Sequence, residues 1–216
     1  MNKKIIFILV AGILLLSFIL AAVIYKNHQA SQQGAAGNAK SAIFERQGAP
    51  VKGPVDARVT IVEFFDPACG TCAEFYPLVN QLFDKYPGKV RVMMRYAPLH
   101  RGSDEVVKLL EAAHLQGKFF PALELLFKNQ RRWIINHTSQ PSSARGILNG
   151  MALDHEKLAS DMNNTDVIEA IRKDLKDVQI FNITATPEFY VKGRSLPSFG
   201  FKQLSQMVEK AVEEAY

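Results

Sequence analysis

The sequence predicts an α/β domain with an inserted α-helical subdomain, preceded by an N-terminal transmembrane anchor. Three features of the 216-residue chain lead to this expectation: an apolar, charge-free segment near the N-terminus, a strand–helix–strand pattern that begins at Val59, and a helical stretch from about residue 100 to 182. Once the N-terminal segment is set aside, the chain is long enough to bury one core. Residues 48–216 are therefore expected to form a single globular domain.

The N-terminal segment 5–24 contains no charged side chain and has about the length of a helix that crosses a hydrocarbon core. Lys3 and Lys4 precede it, and positive charge on the short side of a span favours keeping that side in the cytoplasm. A cleaved signal peptide is the alternative for residues 1–25, and both interpretations place the domain outside the cytoplasm. Residues 26–47, rich in small and polar side chains, have too little apolar content to pack and predict a flexible linker.

The charge of the chain argues against a nucleic-acid surface. The formal net charge is +5, but three of the 26 basic residues lie before Lys40, whereas all 21 acidic residues follow it. The domain itself is therefore only mildly basic. We expect no nucleic-acid partner.

The chain contains two cysteines, Cys69 and Cys72, separated by Gly70 and Thr71. An exported domain that used cysteines for stability would usually close a long loop with them, and this pair closes almost none. A structural disulfide and half of a metal site remain as alternatives to a redox pair. Zinc would need two further ligands, and the five histidines show no paired spacing, so we expect neither a metal nor a cofactor.

The segments around the cysteines predict a βαβ unit. Val59–Phe65 is β-branched and aromatic, which is typical of a strand buried on both faces. Apolar residues then recur at helical spacing, so a helix begins at or near Cys69 and ends by residues 86–88. Residues 89–96 predict a second strand that ends before Pro98. This order implies parallel neighbours in one sheet.

The pattern after Pro98 turns helical and returns to strands near the C-terminus. Ser103 can cap the first inserted helix, since its hydroxyl can accept a hydrogen bond from a free backbone N–H of the first turn. A hairpin and an amphipathic C-terminal helix follow the insertion. The expected elements are inserted helices over about 103–117, 120–132, 141–148, 154–162 and from Thr165, then strands over 188–192 and 195–200.

The position of the cysteines predicts their chemistry. A Cys-x-x-Cys motif where a strand meets a helix has its first sulfur at the helix N-terminus, where free backbone N–H groups and the helix dipole favour a thiolate. Cys69 is therefore the expected nucleophile. Cys72 lies on the same face of the first turn and can close a disulfide with Cys69.

Two other positions carry open alternatives. Glu63 lies inside the apolar strand, either as a carboxylate that reaches water or as a buried carboxyl with a raised pKa that accepts the proton of Cys72. Pro187 follows Thr186 where a strand starts. It is either an ordinary edge or first-residue proline or the site of a cis peptide bond, and the residues alone leave this open.

Several segments together resemble the DsbA-like bacterial thiol–disulfide oxidoreductases, and the likeness covers nearly the whole soluble domain. The segments that carry it are 53–57, 62–66, Cys69 to Cys72, 96–99, 112–119 and 186–189.

The resemblance implies a thioredoxin-like fold with the helical domain inserted, and it implies roles for individual residues. Cys69 would be the nucleophile, Cys72 the resolving cysteine and Glu63 a buried proton relay. A cis Pro187 would bind the backbone of the substrate together with Thr186, beside Gly70 and Thr71.

Three functions remain open at this point. The first is an oxidant that donates its disulfide to cysteine-containing exported proteins and is reoxidised by a membrane quinone reductase. The second is a reductase or isomerase on the same scaffold, with a thiol-reducing membrane partner. The third is a metal-handling or chaperone module that uses the cysteines as ligands. Each would be a single-pass membrane protein with its domain on the extracytoplasmic, periplasmic side.

Overall fold

The computed structural model describes residues 18–20 and 44–216. The predicted anchor, residues 1–25, lies outside the described residues except for 18–20, and the predicted linker, residues 26–47, lies outside them except for 44–47. Among the helices that are described, none combines the length and the apolar character that a membrane span requires.

The described elements alternate strands and helices around a long helical insertion. They are β1 (Val51–Lys52), β2 (Val59–Phe65), α1 (Gly70–Lys85), β3 (Val90–Tyr96), α2 (Ser103–Leu115), α3 (Phe119–Lys128), α4 (Gln130–Trp133), β4 (Ile134–Ile135), β5 (Thr138–Ser139), α5 (Pro141–Leu148), α6 (His155–Asp161), α7 (Thr165–Ile180), β6 (Glu188–Val191), β7 (Arg194–Ser195) and α8 (Phe201–Ala215).

One sheet organises the domain, with strand order β1-β3-β2-β6-β7. Strands β2 and β3 are parallel, with Val59 opposite Val90 and Phe65 opposite Tyr96, whereas the other pairs are antiparallel. The strand–helix–strand prediction is confirmed, as is the thioredoxin-like α/β fold. All seven residues of β2 are buried, as expected for a central strand covered on both faces.

The alternation of side chains along β2 decides which of them lie beneath the cysteines. Ile61 and Phe65 belong to the larger core, which also contains Cys69 and Cys72 and residues of α1, α8 and the insertion. The side chains between them, such as Val62 and Phe64, pack into a second core on the opposite face of the sheet. Since successive side chains of a strand point to opposite faces, Glu63 lies on the side of the cysteines.

The helical insertion spans α2 to α7 and includes a short hairpin that the sequence pattern did not predict. Strands β4 and β5 pair over Ile134–Ile135 and Thr138–Ser139. Asn136 and His137 form the turn with positive φ angles of 49° and 58°. A two-residue turn of this kind usually contains glycine. Because this turn has none, the sequence pattern did not indicate a hairpin.

The C-terminal hairpin is shorter than predicted. Strand β6 covers Glu188–Val191, but β7 is limited to Arg194–Ser195 and does not extend to residue 200. Pro197 has no N–H group to donate to a sheet, which explains the early end of the strand.

The packed domain begins before the predicted boundary at residue 48. The ring of Phe44 stacks on Tyr190 with centroids 3.8 Å apart. The guanidinium Nε of Arg46 lies 2.6 Å from Oδ1 of the fully buried Asp174. The linker was predicted from amino-acid composition, which carries no information on contacts such as those of Phe44 with Tyr190 and of Arg46 with Asp174.

Candidate active site

Cys69 occupies the position that the sequence predicts, at the start of a helix. It is the N-cap residue of α1, with extended backbone angles of φ −75° and ψ 120°. The backbone N–H groups of Thr71 and Cys72 face its sulfur and donate to it. The first turn of the helix therefore surrounds Sγ with donors that have no partner within the helix.

The two cysteines are reduced and lie close together, but they differ in access to solvent. The pair approach to 3.5 Å. Cys69 retains 6% of its surface, whereas Cys72 retains none. Cys69 is thus the sulfur that an external thiol or disulfide can reach.

The environment separates the acidities of the two thiols. Hydrogen bonds from the Cys72 thiol, the Thr186 hydroxyl and the backbone N–H groups of Cys72 and Thr71 lower the pKa of Cys69 from 9.0 to about 5, against the opposing effect of burial. Burial, followed by the hydrogen bond to Cys69 and the charges of Glu63 and Cys69, raises the pKa of Cys72 well above 9.0. At neutral pH the pair holds a thiolate at Cys69 and a proton at Cys72.

Thr186 faces the nucleophilic sulfur with two groups of opposite function. Sγ of Cys69 lies 3.2 Å from the backbone oxygen of Thr186, which can accept a hydrogen bond only from the protonated thiol. The Thr186 hydroxyl can donate, and it stabilises the thiolate. The Thr186–Pro187 peptide bond is cis, which the residues alone had left open.

Replacing Thr186 with Val is expected to raise the pKa of Cys69 by about half a unit to one unit, because the variant keeps the shape of the side chain and removes a donor to the thiolate. Thiolate ultraviolet absorbance against pH on the reduced protein measures this directly. Thr71→Val is the matched control, since Thr71 donates through its backbone N–H, which the substitution retains. Equal pKa values for Thr186→Val and the unmodified protein would contradict the role of the hydroxyl.

Glu63 is buried beneath the cysteines, the second of the two alternatives considered from the sequence. It is 1% exposed, and neither carboxyl oxygen has a hydrogen-bond partner among the residues that the structure describes. Burial and, secondarily, the charge of Cys69 raise the pKa of Glu63 to about 8. The carboxyl is therefore mainly protonated at neutral pH and has an acidity suited to proton exchange with Cys72.

Asp66 is a site residue that sequence reasoning missed. Its fully buried carboxylate accepts hydrogen bonds from one residue of the cysteine loop and from several of the loop after β3. The donors are the backbone N–H groups of Ala68, Leu99 and His100 and the Ser103 hydroxyl, and Nδ1 of His100 lies 2.8 Å away. The sequence signal, an acid before proline at a strand end, indicates only a turn. Only the folded chain brings the loop after β3 into contact with Asp66.

Gln130, at the start of α4, was also missed. Its side-chain Nε2 lies 3.0 Å from the backbone oxygen of Pro67 and 3.0 Å from that of Cys69. Nothing in the local pattern of an inserted helix indicates such a contact. It joins the helical subdomain directly to the residues that lead into the redox pair.

Exposed aromatic side chains lie beside the active-site helix. The Phe75 ring packs 4.8 Å from that of Phe199 and 4.1 Å from that of Phe201, measured between centroids. Phe199 and Phe201 remain 56% and 47% exposed. Because Phe75 follows Cys72 by three residues, it lies on the same face of α1, so these rings form an apolar surface next to the redox pair.

The arrangement of the site supports sulfur chemistry. Over residues 18–20 and 44–216, no three His, Cys, Asp or Glu side chains are grouped so that they could hold a metal ion. The site instead combines a reachable thiolate, a buried partner thiol and a protonated carboxyl. Together these groups can exchange a disulfide and move a proton.

Comparison with known proteins agrees with this chemistry. Residues 45–210 match the family described as thioredoxin. Among curated proteins, a sodium/proton antiporter of Herminiimonas arsenicoxydans is 31% identical over 146 residues, which are 68% of this chain and 22% of the antiporter. The chain thus spans about a fifth of the length of the curated relatives that it matches.

Solved structures share the fold along nearly their whole length. A thioredoxin-like oxidoreductase from Silicibacter pomeroyi DSS-3 is 30% identical with a TM-score of 0.69, and the match covers 80% of this chain and 97% of that one. BdbD from Bacillus subtilis, in its oxidised form, is 24% identical with a TM-score of 0.67, covering 77% and 94%. Wolbachia pipientis alpha-DsbA1 is 17% identical with a TM-score of 0.68, covering 82% and 96%.

Proposed function

Because this chain belongs to the thioredoxin family, as a thiol–disulfide oxidoreductase of the DsbA-like type, we propose that it donates a disulfide between Cys69 and Cys72 to cysteine-containing proteins outside the cytoplasm. The observation that carries the proposal is the set of donors around Cys69, which lowers the pKa of its thiol to about 5. A stabilised thiolate favours the reduced form of the pair. The oxidised form is correspondingly ready to pass its disulfide on.

The reaction proceeds in two exchanges. A client thiolate attacks Sγ of Cys69 in the oxidised pair, forming a mixed disulfide and breaking the bond to Cys72, which leaves as a thiolate. A second client thiolate then attacks the client sulfur and releases Cys69 as a thiolate. The client loses two electrons and gains a disulfide, and the enzyme gains the two electrons as a dithiol.

Glu63 provides the proton that the first exchange requires. The leaving sulfur of Cys72 has a pKa raised well above 9.0 and must be protonated as it leaves. A buried carboxyl with a pKa of about 8 is protonated at neutral pH and can supply that proton without water in the core. The resulting carboxylate then recovers its proton from solvent.

The acidity of Cys69 favours oxidation of clients over reduction. At pH 7, a thiol whose pKa falls from 9.0 to about 5 stabilises the reduced protein by at most about 2.7 kcal/mol, since solvent screens a partly exposed sulfur. For a two-electron couple, this corresponds to a reduction potential at most about 60 mV more oxidising than that of a pair without the shift.

The client binds along the residues that surround Cys69. We assign its backbone to Thr186 and Pro187, and the approach to the sulfur to Gly70 and Thr71. Apolar client side chains would contact the exposed rings of Phe199 and Phe201 beside the pair. An unfolded exported protein offers both an extended backbone and exposed apolar residues.

The proposed location is the extracytoplasmic face of a membrane, with the chain held by a single N-terminal helix. The apolar segment 5–24 and the preceding Lys3 and Lys4 support this orientation. A membrane thiol-oxidising enzyme, coupled to quinone, would return the dithiol to its disulfide after each turnover.

The reduction potential of the Cys69/Cys72 couple tests the direction of the reaction. After equilibration with glutathione, we expect a value clearly more oxidising than about −270 mV, shifted from there toward the oxidising end of the thioredoxin-fold proteins at about −120 mV. Thr186→Val should shift it to a more negative value, because the variant loses a donor to the thiolate. A potential near about −270 mV would contradict the proposal and indicate a reductase on the same scaffold.

A further inference from the structure

Gln130 reaches from the helical insertion to the backbone that precedes the redox pair. Its side-chain Nε2 lies 3.0 Å from both the Pro67 and the Cys69 carbonyl oxygens. Only the NH₂ end of an amide can donate two hydrogen bonds, so two carbonyl partners determine the orientation of the side chain. Each of the two amide hydrogens of Gln130 is donated to one of the two carbonyl oxygens.

The short helix that carries Gln130 is anchored by a buried side chain. Gln130 opens the short helix α4, which ends at Trp133. The Trp133 side chain is fully buried, and its indole N–H donates to the Leu126 carbonyl at 2.9 Å. The side chain of Gln130 is therefore presented from a fixed part of the insertion.

The loop that receives the contact is held from two sides. Asp66 accepts a hydrogen bond from the Ala68 backbone N–H at 2.8 Å, and Gln130 donates to the carbonyls of Pro67 and Cys69 on either side of it. The polar backbone groups of the loop are thus tied both to the sheet and to the insertion. The backbone of Cys69, as the N-cap of α1, has little freedom to rotate.

This restraint matters because the thiolate depends on orientation. Sγ of Cys69 is stabilised by the backbone N–H groups of Thr71 and Cys72 and by the Thr186 hydroxyl. These donors act only at short distance and near-linear geometry. A small rotation of the N-cap residue would move the sulfur away from them.

We propose that Gln130 is a positioning residue for Cys69: its amide, presented by the helical insertion, holds the carbonyls of Pro67 and Cys69 so that the sulfur stays aligned with its hydrogen-bond donors. This inference rests on the proposed function of the pair and assigns the insertion a part in tuning its reactivity. Gln130 itself touches neither the client nor the reacting sulfur.

The test measures the acidity of Cys69 in the reduced full-length protein, without any client. Gln130→Met keeps the length of the side chain and removes both donors, so we expect the pKa of Cys69 to rise by about half a unit to one unit and the exchange rate with a small disulfide to fall several-fold. Gln130→Glu should raise the pKa further, because at neutral pH it directs a carboxylate at two carbonyl oxygens. Since the chain has only two cysteines and Cys72 stays protonated, the thiolate absorbance reports Cys69.

Gln140→Met is the matched control. Gln140 also lies in the insertion, but its amide donates to the Thr138 carbonyl at 3.4 Å, within the hairpin region. Its substitution should leave the pKa of Cys69 unchanged. Melting temperatures of all variants separate a loss of stability from a loss of alignment.

Two results would overturn the proposal: an unchanged pKa of Cys69 in Gln130→Met, whatever the melting temperature of the variant, or equal pKa shifts in Gln130→Met and Gln140→Met. Should Gln130→Met not fold, Gln130→Asn gives the same comparison, because its shorter side chain cannot reach both carbonyls. A failure of the protein to oxidise exported clients would leave this measurement valid. The two proposals can therefore fail separately.

Discussion

Replacing Cys72 with Ser is expected to leave client proteins covalently attached to Cys69, whereas replacing Cys69 with Ser is expected to lower the exchange rate by at least about 100-fold. The reason is the difference in ionisation. With a pKa of about 5, Cys69 is almost entirely thiolate at pH 7, whereas Cys72, with a pKa well above 9.0, is almost entirely protonated. Cys72 is also fully buried.

The trapped state follows from the order of attack. In the variant the Cys69 thiolate attacks an existing client disulfide, forms a mixed disulfide and releases one client sulfur as a thiolate. Such a mixed disulfide is resolved quickly when Cys72 attacks the sulfur of Cys69, and Cys72→Ser removes that attacker. In the variant a serine hydroxyl, which is also a donor, replaces the Cys72 thiol, and the backbone N–H groups and the Thr186 hydroxyl remain to support the Cys69 thiolate.

Non-reducing electrophoresis of both variants, expressed with the N-terminal segment intact, makes the comparison. Adducts that disappear with reductant should accumulate with Cys72→Ser and not with Cys69→Ser. Equal adduct levels from the two variants, or higher levels from Cys69→Ser, would contradict the roles assigned to the two cysteines. Mass spectrometry of the trapped clients also tests the proposed location, since adducts made mainly of cytoplasmic proteins would contradict an extracytoplasmic domain.

Replacing Glu63 with Gln is expected to slow disulfide exchange by about 100-fold, because the leaving thiolate of Cys72 loses its proton donor. The rate loss should be largest where Glu63 is protonated in the unmodified enzyme, below a pH of about 8. Glu74→Gln is the control, since Glu74 is exposed on the same helix as the cysteines. Equal rates for Glu63→Gln and Glu74→Gln would exclude a relay role.

The same substitution should change how stability depends on pH, and the oxidised protein isolates this effect from the thiolate. Burial is the larger cause of the raised pKa of Glu63, which is about 8 in the reduced protein, and burial persists in the oxidised protein, where the charge of Cys69 is absent. A carboxyl with a raised folded-state pKa contributes most to stability below pH 4.5, and this contribution is lost as the pH rises toward 8. The resulting decrease in the free energy of unfolding has an upper bound of about 5 kcal/mol.

Chemical denaturation of the oxidised protein at several pH values measures this loss. The free energy of unfolding should decrease between pH 4.5 and 8 in the unmodified protein and should decrease much less in Glu63→Gln. Parallel pH profiles for the two proteins would show that Glu63 reaches solvent and is not the buried acid described above.

The sequence alone determined those features that depend on neighbouring residues. The β-branched run of Val59–Phe65 and the apolar spacing after Cys72 predicted a strand and a helix, and the order of elements predicted parallel strands. The Cys-x-x-Cys spacing then placed Cys69 at a helix N-terminus. Each of these inferences uses interactions within a few residues, which periodicity and capping chemistry record directly.

The tertiary structure alone decided which distant groups meet the sulfur. Thr186 contacts the sulfur of Cys69 across 117 positions of the chain, and Gln130 reaches the backbone carbonyl of Cys69, not its sulfur, across 61. The burial of Glu63 could be suspected from its apolar strand, but its lack of a hydrogen-bond partner depends on what packs above the sheet. Local patterns carry no record of such contacts, because packing of the insertion and of the cis-proline loop against α1 brings these groups together only in the folded chain.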